Sequence, residues 1–127
     1  MQSNAIGWFE VPVIDMDRAI KFYETVLDVK LERNQMGPLD MAWFPMTDDS
    51  YGSAGSLVCH PEFYQPSAEG VVIYFTAHSG DLSNELSRVD EAGGKVLQPK
   101  TKISDEYGFM ALLIDSEGNR IALHSRE

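Results

Sequence analysis

From Ile6 to Ile14 apolar and polar residues alternate loosely, the two-residue period of a half-buried strand, with Pro12 marking an edge or an irregular end. The period then changes. Asp15 is placed to cap a helix, and Met16, Ala19, Ile20, Tyr23 and Leu27 recur at helical spacing, with Phe22 and Val26 widening the stripe. Val29–Arg33 reads as a second strand, Met36-Gly37-Pro38 as a turn, and Leu39–Met46 as a third strand rich in aromatics. Thr47–Gly55 is a loop, Ser56–His60 a fourth strand stopped by Pro61, and Glu62–Gly70 a polar connection.

The same order then begins again. Val71–Ala77 is a β-branched and aromatic strand, and Asp81 is a second candidate cap. Leu82, Leu86, Val89 and Ala92 give a second amphipathic helix, closed by Gly93-Gly94. Lys95–Gln98 reads as a short strand, Pro99–Tyr107 as a loop, Phe109–Ile114 as a strand, Asp115–Asn119 as a turn and Arg120–Ser125 as the last strand. The pattern is βαβββ twice: an α+β chain with one module over residues 6–61 and a second over 70–126, packed as a single domain 1–127. Asp15–Leu31 and Asp81–Leu97 each run from Asp through a helix to a short strand ending in Leu, a repeat of elements rather than of side chains. Neither half is long enough to bury a sheet face alone, but packed together they are.

Composition narrows the function. Twenty acidic residues against ten basic ones give a net charge of −10, which disfavours nucleic acid and anionic membranes as partners. The single cysteine, Cys59, excludes an internal disulfide framework. Its alternation with Val58 and His60 turns it to the helix side as a structural thiol. No basic start with an apolar run is visible over Met1–Gly7, and no stretch approaches the length of a membrane span, so a cytoplasmic protein is expected. Phosphate-cradling, nucleophile-elbow and calcium-loop patterns are absent. The acids of turns and helix faces, among them Asp48, Asp49, Glu85, Asp115 and Glu117, read as solvation, and His78 as a turn residue in solvent.

Three stretches carry a family resemblance. Trp8-Phe9-Glu10-Val11-Pro12-Val13-Ile14-Asp15-Met16-Asp17-Arg18-Ala19-Ile20-Lys21-Phe22-Tyr23 resembles the opening module of the vicinal oxygen chelate superfamily, which includes glyoxalases, bleomycin-resistance proteins and extradiol dioxygenases. Asp115-Ser116-Glu117-Gly118-Asn119-Arg120-Ile121-Ala122-Leu123-His124-Ser125 resembles its closing hairpin, and Glu91-Ala92-Gly93-Gly94-Lys95-Val96 is also similar. The resemblance implies paired βαβββ modules whose strands form a curved half-barrel sheet around a cavity, and it implies a homodimer. Metal-dependent members place four ligands in that cavity. Carried over, those positions are Trp8, Val58 (or His60), Val72 and Ala122. Trp8, Val72 and Ala122 cannot hold a metal, so no cofactor is expected.

Residues two apart on a strand share a face. The resemblance therefore turns Glu10, His60, Tyr74 and His124 to the cavity as well. Glu10 stands between apolar neighbours, where an unpaired carboxylate is costly. Its ordinary partner would be His124, an Arg or a backbone amide, and its functional use would be to hold a proton or a cationic group. Glu10 and His124 are the candidate catalytic pair. Trp8, His60, Tyr74, Phe44 and Phe109 are candidate ligand contacts, although an aromatic residue taken singly reads first as core. No metal ligands are assigned.

The expected function is a glyoxalase- or bleomycin-resistance-like protein that binds a small, partly apolar molecule without the family's metal. One alternative is a lyase or isomerase of the glyoxalase type, moving a proton next to a carbonyl. Another is a dioxygenase with Glu10, His60 and His124 around iron.

Overall fold

A computed structural model describes residues 4–48 and 52–127. Asp49, and with it the middle of the Thr47–Gly55 loop, lies outside the described residues, as does the start of the Met1–Gly7 segment. The elements are β1 (Phe9–Pro12), α1 (Met16–Leu27), β2 (Glu32–Met36), β3 (Leu39–Trp43) and β4 (Gly55–Cys59), then β5 (Ile73–Thr76), α2 (Leu82–Leu86), β6 (Lys95–Ser104), β7 (Gly108–Ile114) and β8 (Arg120–Ser125). Two four-stranded mixed sheets result, in the orders β1-β4-β3-β2 and β5-β8-β7-β6. In each, the first strand runs parallel to the last, and the remaining pairs are antiparallel. The fold is α+β, built as βαβββ twice, and its sheets do not close into a barrel.

Several elements differ from the sequence reading. The first strand shrinks to Phe9–Pro12, and the second starts at Glu32 rather than Val29 and runs on to Met36. Val29 and Leu31 pack against the core from outside any strand. Pro99–Tyr107 is not a loop: β6 continues to Ser104 and absorbs Pro99 in a stretch of register shifts between Val96 and Thr101. Such bulges release a residue from the ladder, which is where a proline is tolerated. The second helix stops at Leu86. Beyond it Arg88 N–H donates to Glu85 and Val89 N–H to Leu86, three residues back, so the chain tightens into turns that still bury Val89.

The helices and one face of each sheet share a core. Asp15 caps α1 by accepting from Arg18 N–H at 3.0 Å, and the apolar stripe of α1 buries Met16, Ala19, Phe22, Tyr23, Val26 and Leu27. Tyr23 meets Phe44 and Phe75 at ring-centroid distances of 5.6 and 5.5 Å, and Phe9 meets the same two rings at 5.6 and 5.5 Å. These rings join β1, the end of β3, β5 and α1 in one aromatic knot.

A polar clamp joins the halves at the other end of β1. The β7–β8 turn docks against the start of α1: Ile14 and Asp15 donate their N–H groups to Glu117 Oε1 at 2.9 and 2.8 Å, and Arg18 Nε donates to Oε2 at 2.6 Å. Tyr23 Oη donates to Asp115 at 2.5 Å, and Asn119 Nδ2 donates to the Pro12 carbonyl at 2.7 Å. The expectation that Glu85, Asp115 and Glu117 are solvating acids is therefore corrected. They are 1%, 2% and 7% exposed. Each carboxylate is satisfied by backbone, hydroxyl or cationic donors, near in sequence for Glu85 and largely from the first module for Glu117.

Candidate functional site

β1 and β5 are each the outer strand of their sheet, and no Cα of one lies within 8 Å of a Cα of the other. Paired strands sit about 4.8 Å apart, so the two edges are not joined. The gap is a cleft of about 860 Å³. Phe9, Phe44 and Phe75 from the aromatic knot form its apolar floor, with Leu27 and Val29 beside them. Its polar groups include Glu10, Gln65, Tyr74, His78, Asn119 and Arg120. An apolar cavity with a small number of placed polar groups is the usual form of a small-molecule site.

Glu10 is half-buried on β1. Its Oε1 accepts from Tyr64 Oη at 2.6 Å, and that bond raises the Tyr64 hydroxyl above its usual range. Tyr64 comes from the connection between the modules, read from sequence only as a polar linker. Trp8 stands edge-on to Trp43 at 5.9 Å and is 39% exposed. Ser56 lies across from both Glu10 and Trp43 in the sheet, and Ser56 Oγ and Trp43 Nε1 are buried with no partner among the described residues.

Of the residues singled out from sequence, Trp8, Glu10, Phe44 and Tyr74 line the cleft. His60, Phe109 and His124 do not. His60 follows β4, where its Nδ1 accepts from Glu62 N–H at 3.1 Å and its ring lies 4.9 Å from that of Phe63. Phe109 packs toward the core with Lys100 Nζ 4.5 Å from its ring centre. His124 stands beside Met110 and Thr76, its Nε2 hydrogen-bonded to the Tyr107 carbonyl at 2.6 Å. That contact makes Nε2 the protonated nitrogen. The partner of Glu10 is Tyr64 rather than His124. Cys59 is partly buried against the core, its Sγ 3.6 Å from the Ile14 carbonyl and its thiol pushed up by burial.

Sequence reasoning missed Tyr64, Arg120 and the cleft position of His78. The aromatic pair Phe63-Tyr64 inside the otherwise polar stretch 62–70 was the signal for Tyr64.

The metal of the family's metal-dependent members does not fit the residues present. Val58 and Ala122 are fully buried and offer only carbon, as does Val72, and the Trp8 indole has a donor but no acceptor. β4 also sets Val58 opposite Pro12, so Val58 and Trp8 do not stand side by side. Among the described residues no three His, Cys, Asp or Glu side chains converge on a point that could hold a metal.

The architecture is shared with solved structures. Glyoxalase I from Zea mays matches with a TM-score of 0.65 at 22% identity, covering 94% of this chain and 45% of that one, so the chain spans about half the length of the maize enzyme. A glyoxylase/bleomycin resistance protein/dioxygenase domain from Frankia sp. EAN1pec matches with a TM-score of 0.71 at 15% identity, covering 98% of both chains. TnmS3, an antibiotic binding protein from Streptomyces sp. CB03234, matches with a TM-score of 0.64 at 22% identity, covering 100% and 99%. At these identities the likeness shows the fold. A search of the curated proteins found no match. The family model described as Glyoxalase/Bleomycin resistance protein/Dioxygenase superfamily matches residues 5–123. The chain belongs to that superfamily.

Proposed function

We propose that this protein binds a small, partly apolar molecule in the cleft between β1 and β5, without the metal of the metal-dependent family members. The observation that carries the reading is the cleft itself: about 860 Å³, an aromatic floor, and Glu10 and Tyr74 on opposite walls. The carbon side chains at the inherited ligand positions support the metal-free part. A relative that is an antibiotic binding protein is in keeping with a binding role. Metal analysis of protein purified without chelator, with a thermal-shift screen of aromatic small molecules, tests both parts. Stabilisation by such molecules with no stoichiometric metal is the expected result. One transition metal held per chain and required for stability overturns it.

The lyase or isomerase reading keeps one observation in its favour, a half-buried carboxylate facing an apolar cleft. The catalytic partner expected from sequence is not beside it, because His124 is engaged with Tyr107 away from the cleft. If an activity is found, Glu10→Gln should abolish it with the fold intact, while His124→Ala should leave it within about threefold. We also propose that two copies associate, on the apolar face that the second sheet turns away from the helices.

A further inference from the structure

The walls of the cleft are two unpaired strand edges, and their backbone groups are as much a part of it as the side chains. In β1, Phe9 N–H donates to Ala54 and Val13 N–H to Val58, so the odd-numbered residues face β4. The N–H and C=O of Glu10 turn the other way, as does the Pro12 carbonyl, which accepts from Asn119 Nδ2 of the second module. In β5, Ala77 N–H donates to His124, so the backbone groups of Tyr74 and Thr76 turn to the open edge. No Cα of one edge lies within 8 Å of a Cα of the other, so the two edges do not pair with each other, and a strand added between them would find free backbone partners on both sides while Phe9 and Phe75, 5.5 Å apart at their ring centres, lie beneath it.

The side chains along this gap are charged at two points, Glu10 and Arg120, and neither forms an ion pair among the described residues. Asn119 closes the Pro12 end by its bond to the Pro12 carbonyl, and the next residue, Arg120, lines the cleft there. Arg120 donates Nη2 to the Gly70 carbonyl, but its Nε is buried without a partner, and it forms no ion pair among the described residues. Glu10 stands two residues back along β1, about 6.6 Å, which is close to the length of a dipeptide.

Resting on the binding function proposed above, we propose that the ligand is a short extended peptide or peptide-like molecule. It adds a strand between β1 and β5, with its carboxylate at Arg120, its amino group toward Glu10 and its apolar side chains on the aromatic floor. The backbone supplies hydrogen bonds to any such ligand, and the floor selects apolar side chains.

The test follows tryptophan fluorescence, from Trp8 at the cleft with Trp43 beside it, on titration with four probes: the dipeptide Leu-Phe, its N-methylated peptide-bond analogue, its C-terminal amide, and 2-naphthol as an apolar molecule with no peptide group. Leu-Phe should quench saturably, and both the N-methyl and amide forms should bind at least tenfold more weakly. Arg120→Gln should weaken Leu-Phe to the level of the amide and leave the amide unchanged, with Arg120→Lys restoring part of the loss. Equal binding of the N-methyl form, or equal loss for acid and amide in Arg120→Gln, overturns the inference. Binding of 2-naphthol without Leu-Phe also overturns it while leaving the cleft as a small-molecule site. Binding of neither overturns both.

Discussion

Glu117 is a carboxylate whose side chain is fully buried, and most of its donors come from the other half of the chain. Burial alone would raise its pKa. Arg18, the Asp15 and Ile14 N–H groups and Ser116 outweigh that and hold it at about 2 instead of 4.5. A group whose pKa is lowered on folding stabilises the fold above its unfolded value and loses that contribution as pH falls toward the folded one. Glu117→Gln should therefore cost about 2–3 kcal/mol in urea unfolding at pH 7. The gap between the two proteins should shrink from about pH 4.5 downward and close near pH 2. A gap under about 0.5 kcal/mol at neutral pH, or one that does not narrow with acid, would show that the clamp is not electrostatic. None of this was legible in the sequence. Asp-Ser-Glu-Gly-Asn reads as a solvated turn, and the partners that bury it lie about a hundred positions away. Glu10 was legible as the unusual acid because its strand neighbours are apolar. Tyr64 was not, because nothing local fixes where a connection folds back.

The strands and helices were legible where a period is sustained. The α1 stripe appears where the spacing places it, and the order of elements in both modules holds. The failures share a cause: tertiary pairing overrode local punctuation. β6 runs through Pro99 because β7 is there to pair with it, and α2 ends early because Ser87 and Asp90 leave little propensity to continue it once Val89 is packed. The Gly93-Gly94 signal was read as a helix end, but Gly94 has a second constraint. A Cβ there would lie 2.6 Å from the Ile114 carbonyl and 2.7 Å from the Phe22 ring, which neither rigid neighbour can relieve. Gly94→Ala should cost about 1–3 kcal/mol by overpacking where β7 and α1 meet. Gly7→Ala, whose Cβ meets nothing within 4 Å, should change stability by less than about 0.5 kcal/mol. Thermal unfolding of the two variants separates a contact effect from the loss of glycine as such. Equal behaviour would remove the close approach as the reason.

At the scale of the molecule, both sheets spend one face on the shared core; the other face of the first sheet still buries Met41, Ser56 and Val58, whereas that of the second sheet is more exposed. On the second sheet, register places Tyr74, Met110 and Leu112 on the face away from the core, around the buried Ala122 and beside Thr76, Arg120 and His124. Tyr74 is 54% exposed, and Leu97, Ile103 and Tyr107 of the adjoining strand and its turn are 47%, 47% and 58% exposed. Apolar side chains gathered on one sheet face mark an interaction surface rather than scattered surface residues. A net charge of −10 opposes association in general, so a dimer must be held by this apolar contact and should not weaken as salt rises. Light scattering at micromolar concentration should give twice the monomer mass at both low and high salt. Leu112→Glu, which places a charge in the middle of the face, should give the monomer mass with an unchanged far-ultraviolet circular dichroism spectrum. Monomer mass for the parent protein would refute the association. A dimer that survives Leu112→Glu would move the contact to another face. The outcome bears on the cleft as well, because Tyr74 belongs to both surfaces. If the copies meet there, a second chain covers one wall of the binding site, and Leu112→Glu should weaken 2-naphthol binding although Leu112 does not line the cleft.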